Sequence, residues 1–162
     1  MSSHRLSAAV VVAAALGWGG IATADMSRNV ITAFKGELVI TKSELPEGKT
    51  DKDTIAKIKT ERLKELTGEE KGDVMYWHFH YTAFLTKPGA TQLTMEFWVN
   101  DGSKEKKLAA NVRLEGVDPK LTVMSSDISI NEDDGLSKGK PYLIKLVTDK
   151  DVAVASTPLL MK

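Results

Sequence analysis

Cysteine is absent from all 162 residues. That removes disulfides, thiolate metal ligands, a thiol nucleophile and the lipid-modified cysteine of a bacterial lipoprotein. Charge of one sign is lacking too: 22 Lys and Arg face 22 Asp and Glu, with the signs interspersed. Phosphate-rich partners need a basic stripe. The densest one, 104–107, is interrupted by Glu105 and reads as a solvated loop. Nucleic acid is therefore excluded as a partner. None of Asn29, Asn100, Asn111 and Asn131 is followed two places on by Ser or Thr, so no N-glycan acceptor exists. A Gly-x-Ser-x-Gly elbow, a Gly-rich phosphate loop and a prominent carboxylate pair are missing as well. No catalytic residue emerges, and the sequence reads as a non-enzyme.

Long apolar runs are missing with one exception. A short basic start, Met1 to Arg5, precedes an apolar stretch over 6–16. Glycines at 17, 19 and 20 follow, and then Ala22-Thr23-Ala24. This is the n-region, h-region and small-residue cleavage site of a secretory signal peptide. The expectation is a signal over 1–24 and one mature domain over 25–162. The stretch 6–24 barely reaches the ~20 apolar residues of a spanning helix. Its second half is Gly- and Ala-rich, and no basic cluster follows, so cleavage is preferred to anchoring. No later segment is apolar enough to span a membrane. Loss of Arg5 leaves 21 basic and 22 acidic side chains. An exported, cysteine-free domain must hold itself together by its core, and it fits a bacterial periplasm or cell surface.

Beyond the signal, 31–41 reads as a first strand. Over 50–68 the apolar period changes to a helical one: Ile55, Ile58, Leu63 and Leu66 form a stripe, Thr50 and Asp53 a capping box, and Gly68 a C-terminal stop. After Gly72 the pattern is almost wholly β. Strands are expected at 74–86, 91–99, 107–115, 121–130, 141–148 and 152–161, separated by turns such as Lys87-Pro88-Gly89-Ala90. Seven strands without βαβ alternation predict an antiparallel β-sandwich with one amphipathic helix after the first strand. A closed barrel is the alternative. The C-terminal quarter, Gly139-Lys140-Pro141-Tyr142 through Leu160, resembles the last two strands of immunoglobulin-like modules. There Tyr142 stands where that fold places its tyrosine corner. The resemblance implies architecture only.

Chemistry concentrates in Met75-Tyr76-Trp77-His78-Phe79-His80-Tyr81. Alternate strand residues share a face. Trp77, Phe79 and Tyr81 are expected to face the core, and Tyr76, His78 and His80 the outside, with the histidines ~6.5–7 Å apart. A hairpin between 74–86 and 91–99 would add Glu96 and Trp98 to that outer face; in both matching registers one of them lies opposite His80. The expected patch is Tyr76, His78, His80, Glu96 and Trp98. Two imidazoles and a carboxylate suit copper or zinc, with His78, His80 and Glu96 as candidate ligands. The plainer expectation is of ordinary strand residues, with the helix packed over the aromatics. Exposed Tyr76 and Trp98 alternatively suit a protein partner or a sugar ring. Asn131-Glu132-Asp133-Asp134-Gly135 fails the calcium-loop pattern and reads as a turn. The sequence thus points to an exported, non-enzymatic module that binds a protein partner by a sheet face or an added strand. A periplasmic copper or zinc protein and a carbohydrate-binding module are the alternatives.

Overall fold

The computed structural model describes residues 26–162, so the expected signal segment lies outside the described residues. The chain is mainly β. Its elements in order are α1 (Arg28–Ala33), β1 (Leu38–Thr41), α2 (Asp51–Glu61), β2 (Glu65–Leu66), β3 (Glu69–Lys71), β4 (Val74–Phe84), β5 (Leu93–Val99), β6 (Leu108–Leu114), β7 (Val123–Asn131), a 3₁₀ turn (Glu132–Asp134), β8 (Pro141–Thr148) and β9 (Ala153–Met161).

The strands fall into two sheets rather than one closed barrel. In the first, β4 is central: β1 and β3 pair along one side of it and β7 along the other. The second runs β2-β9-β8-β5-β6, antiparallel except for the short parallel pair β2–β9. One apolar cluster joins both sheets. It includes Leu38, Trp77, Phe79 and Tyr81 from the first and Met95, Phe97, Ile144 and Val154 from the second.

A second cluster, Val30, Phe34, Val39, Ile58, Phe84 and Val123, lies on the other face of the first sheet. It is where α1 and α2 pack. All four residues of β1 are buried, because Leu38 and Ile40 enter the shared core while Val39 meets the helices.

The first expected strand is half helix. Ser27 caps α1 by accepting from the Val30 amide at 3.3 Å. Val30 and Phe34, four apart, bury one side; Gly36, at φ 85°, then turns the chain into β1. The β-branched run 30–32 favoured a strand, but a cap and an i, i+4 apolar pair outweighed that propensity. Thr50 caps α2 as expected, accepting from the Asp53 amide at 3.2 Å. The helix ends at Glu61, however, and not at Gly68. Residues 64–66 bond to β9 instead, Leu160 N–H to the Lys64 carbonyl at 3.0 Å and Lys162 N–H to the Leu66 carbonyl at 2.8 Å. The apolar stripe accordingly splits. Ile55 and Ile58 join the helical cluster, and Leu63 and Leu66 the shared core. Gly68 serves close approach: a Cβ there would stand 2.7 Å from Met75 Sδ and 2.8 Å from Trp77 Nε1.

The expected hairpin between β4 and β5 does not form. After Phe84 the chain crosses between sheets, with Leu85 N–H on the Thr122 carbonyl at 2.8 Å and Thr86 N–H on the Val154 carbonyl at 2.9 Å. Strand β5 pairs with β6 and β8. Alternation assigns each strand a face but does not choose its neighbour.

Candidate functional site

The outward residues of β4 and β7 stand opposite one another as Tyr76–Asn131, His78–Ser129, His80–Asp127, Thr82–Ser125 and Phe84–Val123. The last pair is apolar and lies in the cluster with α1 and α2. The two histidines share this face, as the period of two requires. Each is engaged across the strand pair: His78 Nδ1 with Ser129 Oγ at 2.8 Å, His80 Nδ1 with Asp127 Oδ1 at 3.1 Å. His78 is exposed, whereas His80 is only 6% exposed.

His80 is buried because it lies beneath a cavity of about 510 Å³, between the first sheet, the two helices and the loop 42–50. His80, Thr82 and Ser125 come from the sheet, Met26, Ser27 and Val30 from α1 and its approach, and Asp51 and Thr54 from α2. Glu44 to Gly48 complete the lining. The volume falls within the ~300–1,000 Å³ of small-molecule sites. An aspartate accepts only, so Nδ1 of the neutral His80 ring must carry the proton, which leaves Nε2 as an acceptor. Among the described residues, no hydrogen bond is made to that nitrogen or to the Thr82 hydroxyl, and both open onto the cavity. Asp51 ties the two helices together by accepting from the Asn29 amide at 2.7 Å. The Ser27 hydroxyl and that amide hold its carboxyl below the ordinary value.

Glu96 and Trp98 lie elsewhere. They alternate with the core residues Met95 and Phe97 on β5, and so lie on the outer face of the second sheet. The expected patch of five is therefore two patches on different sheets. His78, His80 and Glu96 do not form one ligand set, and no group of three potential ligands for a metal ion occurs among the described residues. Tyr76 remains on the face of His78, with Lys71 Nζ 5.7 Å from its ring centroid. The helices cover Phe84 and Val123 at the opposite end of that face. On the second sheet, Trp98 Nε1 donates to Glu96 Oε2 at 2.7 Å, and Lys145 Nζ lies 5.3 Å from the indole centroid.

Asp127, Ser125, Thr82 and the loop 44–48 were not singled out from the sequence. A signal for three of them existed: Ser125-x-Asp127-x-Ser129 is a polar face with period two that matches His78-x-His80-x-Thr82.

No family model matches the chain, and no curated protein matches it. Among solved structures it is similar to a β-glucosidase from Kluyveromyces marxianus. The selenomethionine-labelled form aligns at 14% identity and TM-score 0.29. The glucose complex aligns at 16% identity and TM-score 0.30. In each case the alignment covers 60% of this chain and 14% of the other, so the chain spans a small fraction of those proteins. A likeness at that level carries no argument about either fold or activity.

Proposed function

We propose that the mature chain is an exported, non-enzymatic binding module that holds a small ligand in the cavity over His80. The observation that carries this reading is a buried imidazole with an unpartnered Nε2, set beside an unpartnered Thr82 hydroxyl in a cavity of ligand size. Both groups open onto the cavity and are not sealed in the core, so a ligand entering it can pair with them. The His80–Asp127 pair has half the geometry of a nucleophilic triad. Binding is preferred here to acyl transfer because the Gly-x-Ser-x-Gly run from Gly135 to Gly139 lies between the 3₁₀ turn and β8, not at the strand-to-helix elbow that exposes a nucleophile. Export rests on the signal-like segment 1–24.

An immunoglobulin-like sandwich is the architecture we propose. Its support is the strand order β1-β4-β7 against β6-β5-β8-β9, together with Tyr142, whose hydroxyl accepts from the Ser137 amide at 2.9 Å. That contact has the form of a tyrosine corner.

A thermal-shift screen of small polar compounds tests the ligand reading, with wild type and Thr82→Ile in parallel. At a hundredfold excess over Kd a ligand adds about 2.7 kcal/mol, so binders raise the Tm of wild type by several degrees. The enlarged side chain abolishes that rise. Equal shifts in both proteins, or none in either, would reject the cavity.

A second reading concerns a protein partner. Leu108, Trp98, Leu143 and Pro158 stand in register across β6-β5-β8-β9 and form an apolar row on the outer face of the second sheet. Sugar stacking needs a bare ring, and Lys145 lies over the indole, so protein contact suits this row better. A photo-crosslinking residue at Leu143 is expected to capture one partner in the cell envelope, while one at Glu115 captures none. Identical patterns at the two positions would refute it.

A further inference from the structure

Among the described residues, the side chains lining the cavity include carboxylates and no Lys or Arg. Glu44, Glu47 and Asp51 contribute the negative charge. Glu44 and Glu47 are exposed at the rim, and the Asp51 carboxyl stays ionised to below its ordinary range. Lys57 is not a lining residue, and its ammonium is held by the Glu47 carbonyl at 2.9 Å. Deeper in, His80 and Thr82 are 6% and 1% exposed. The His80 Nε2 accepts in the neutral ring, since Nδ1 donates to Asp127. Acceptors thus stand both at the exposed rim and at the buried base, and apolar Val30, Leu45 and Pro46 share the lining. Among the described lining residues an anion would meet carboxylates and no Lys or Arg. A bare metal ion would lack a ligand set among the described residues.

We propose that the cavity takes a small aliphatic ammonium compound, a diamine or a polyamine, an inference that rests on the ligand-binding reading above. One ammonium is drawn to the rim carboxylates by charge-assisted hydrogen bonds. The methylene chain lies along the apolar wall. The far nitrogen donates to His80 Nε2 and meets the Thr82 hydroxyl. An exposed acidic rim, a buried acceptor base and apolar lining residues match the groups of a chain with nitrogens at both ends.

The test is calorimetric titration of the protein purified after export, using spermidine and 1,5-diaminopentane, with 1,5-pentanediol and glutarate as neutral and anionic matches. The two amines are expected to bind, and the diol and diacid at least about tenfold more weakly. Amine affinity falls as salt is raised. The double substitution Glu44→Gln/Glu47→Gln weakens amine binding by about fivefold without changing Tm. In parallel, amines shift the ¹⁵N resonances of the His80 imidazole. Tighter binding of the diol or the diacid would overturn the assignment of class and leave the cavity as a site. Amine binding that survives the double substitution and leaves the His80 signal unmoved would overturn it too, placing the amines on other surface carboxylates. Failure of all four probes, with no compound active in the thermal-shift screen, would remove the class and the cavity together.

Discussion

Tyr81 and His80 are neighbours on β4 whose side chains go to opposite faces. Tyr81 enters the core shared by the two sheets, where burial pushes its phenol pKa well up and its hydroxyl has no partner among the described residues. An unmade buried hydrogen bond costs more than its absence from both sides. Tyr81→Phe is accordingly predicted to stabilise the protein by about 1 kcal/mol, read as a higher urea midpoint at unchanged slope. A fall in stability would mean that the hydroxyl is satisfied after all. His80 goes the other way, into a polar cavity. Alternation alone sorted these two residues correctly, and that much of the site was legible in the sequence. Which acid His80 would meet was not. Glu96 was expected from an assumed hairpin, whereas Asp127, 47 positions away, supplies the carboxylate.

Elements were legible where local chemistry is strong. The cap at Thr50 and the alternation of β4 and β5 appear where they were expected. Long-range competition hid the rest, since residues 64–66 carry helical periodicity yet bond to β9, which no local pattern announces. Helix α2 forms one wall of the cavity, and its hold can be measured. Ile58 is fully buried in the cluster beneath it. Ile58→Ala should destabilise by about 2–5 kcal/mol, while Thr50→Ala should cost about 1 kcal/mol; chemical denaturation checks both. Acid should loosen the same region. The Asp51 carboxyl lies below its usual 3.8 in the fold, so its contribution is complete above that value. It is lost as pH falls through the depressed folded value. Hydrogen-exchange protection at α1 and α2, relative to the intrinsic rate at each pH, is expected to fall below about pH 4 in wild type. In Asp51→Asn the acid dependence at these helices should be much reduced. Protection that falls equally in both proteins would assign the loosening to other carboxylates.

At the scale of the molecule, a chain without cysteine relies on two apolar clusters, one shared by the two sheets and one beneath the helices. The second cluster leaves the outer face of the first sheet polar at His80 and Thr82 while keeping them from solvent. A sheet face that would otherwise be surface thereby becomes the base of a cavity. The central claim is that ligand enters there. Backbone and imidazole NMR of the purified protein, titrated with spermidine, tests it most directly. The account predicts the largest shifts at His80, Thr82, Thr54 and Asp51, with Trp98, Leu143 and Lys145 unmoved. Shifts confined to the Trp98 face, or spread evenly over surface acids with His80 silent, would contradict it.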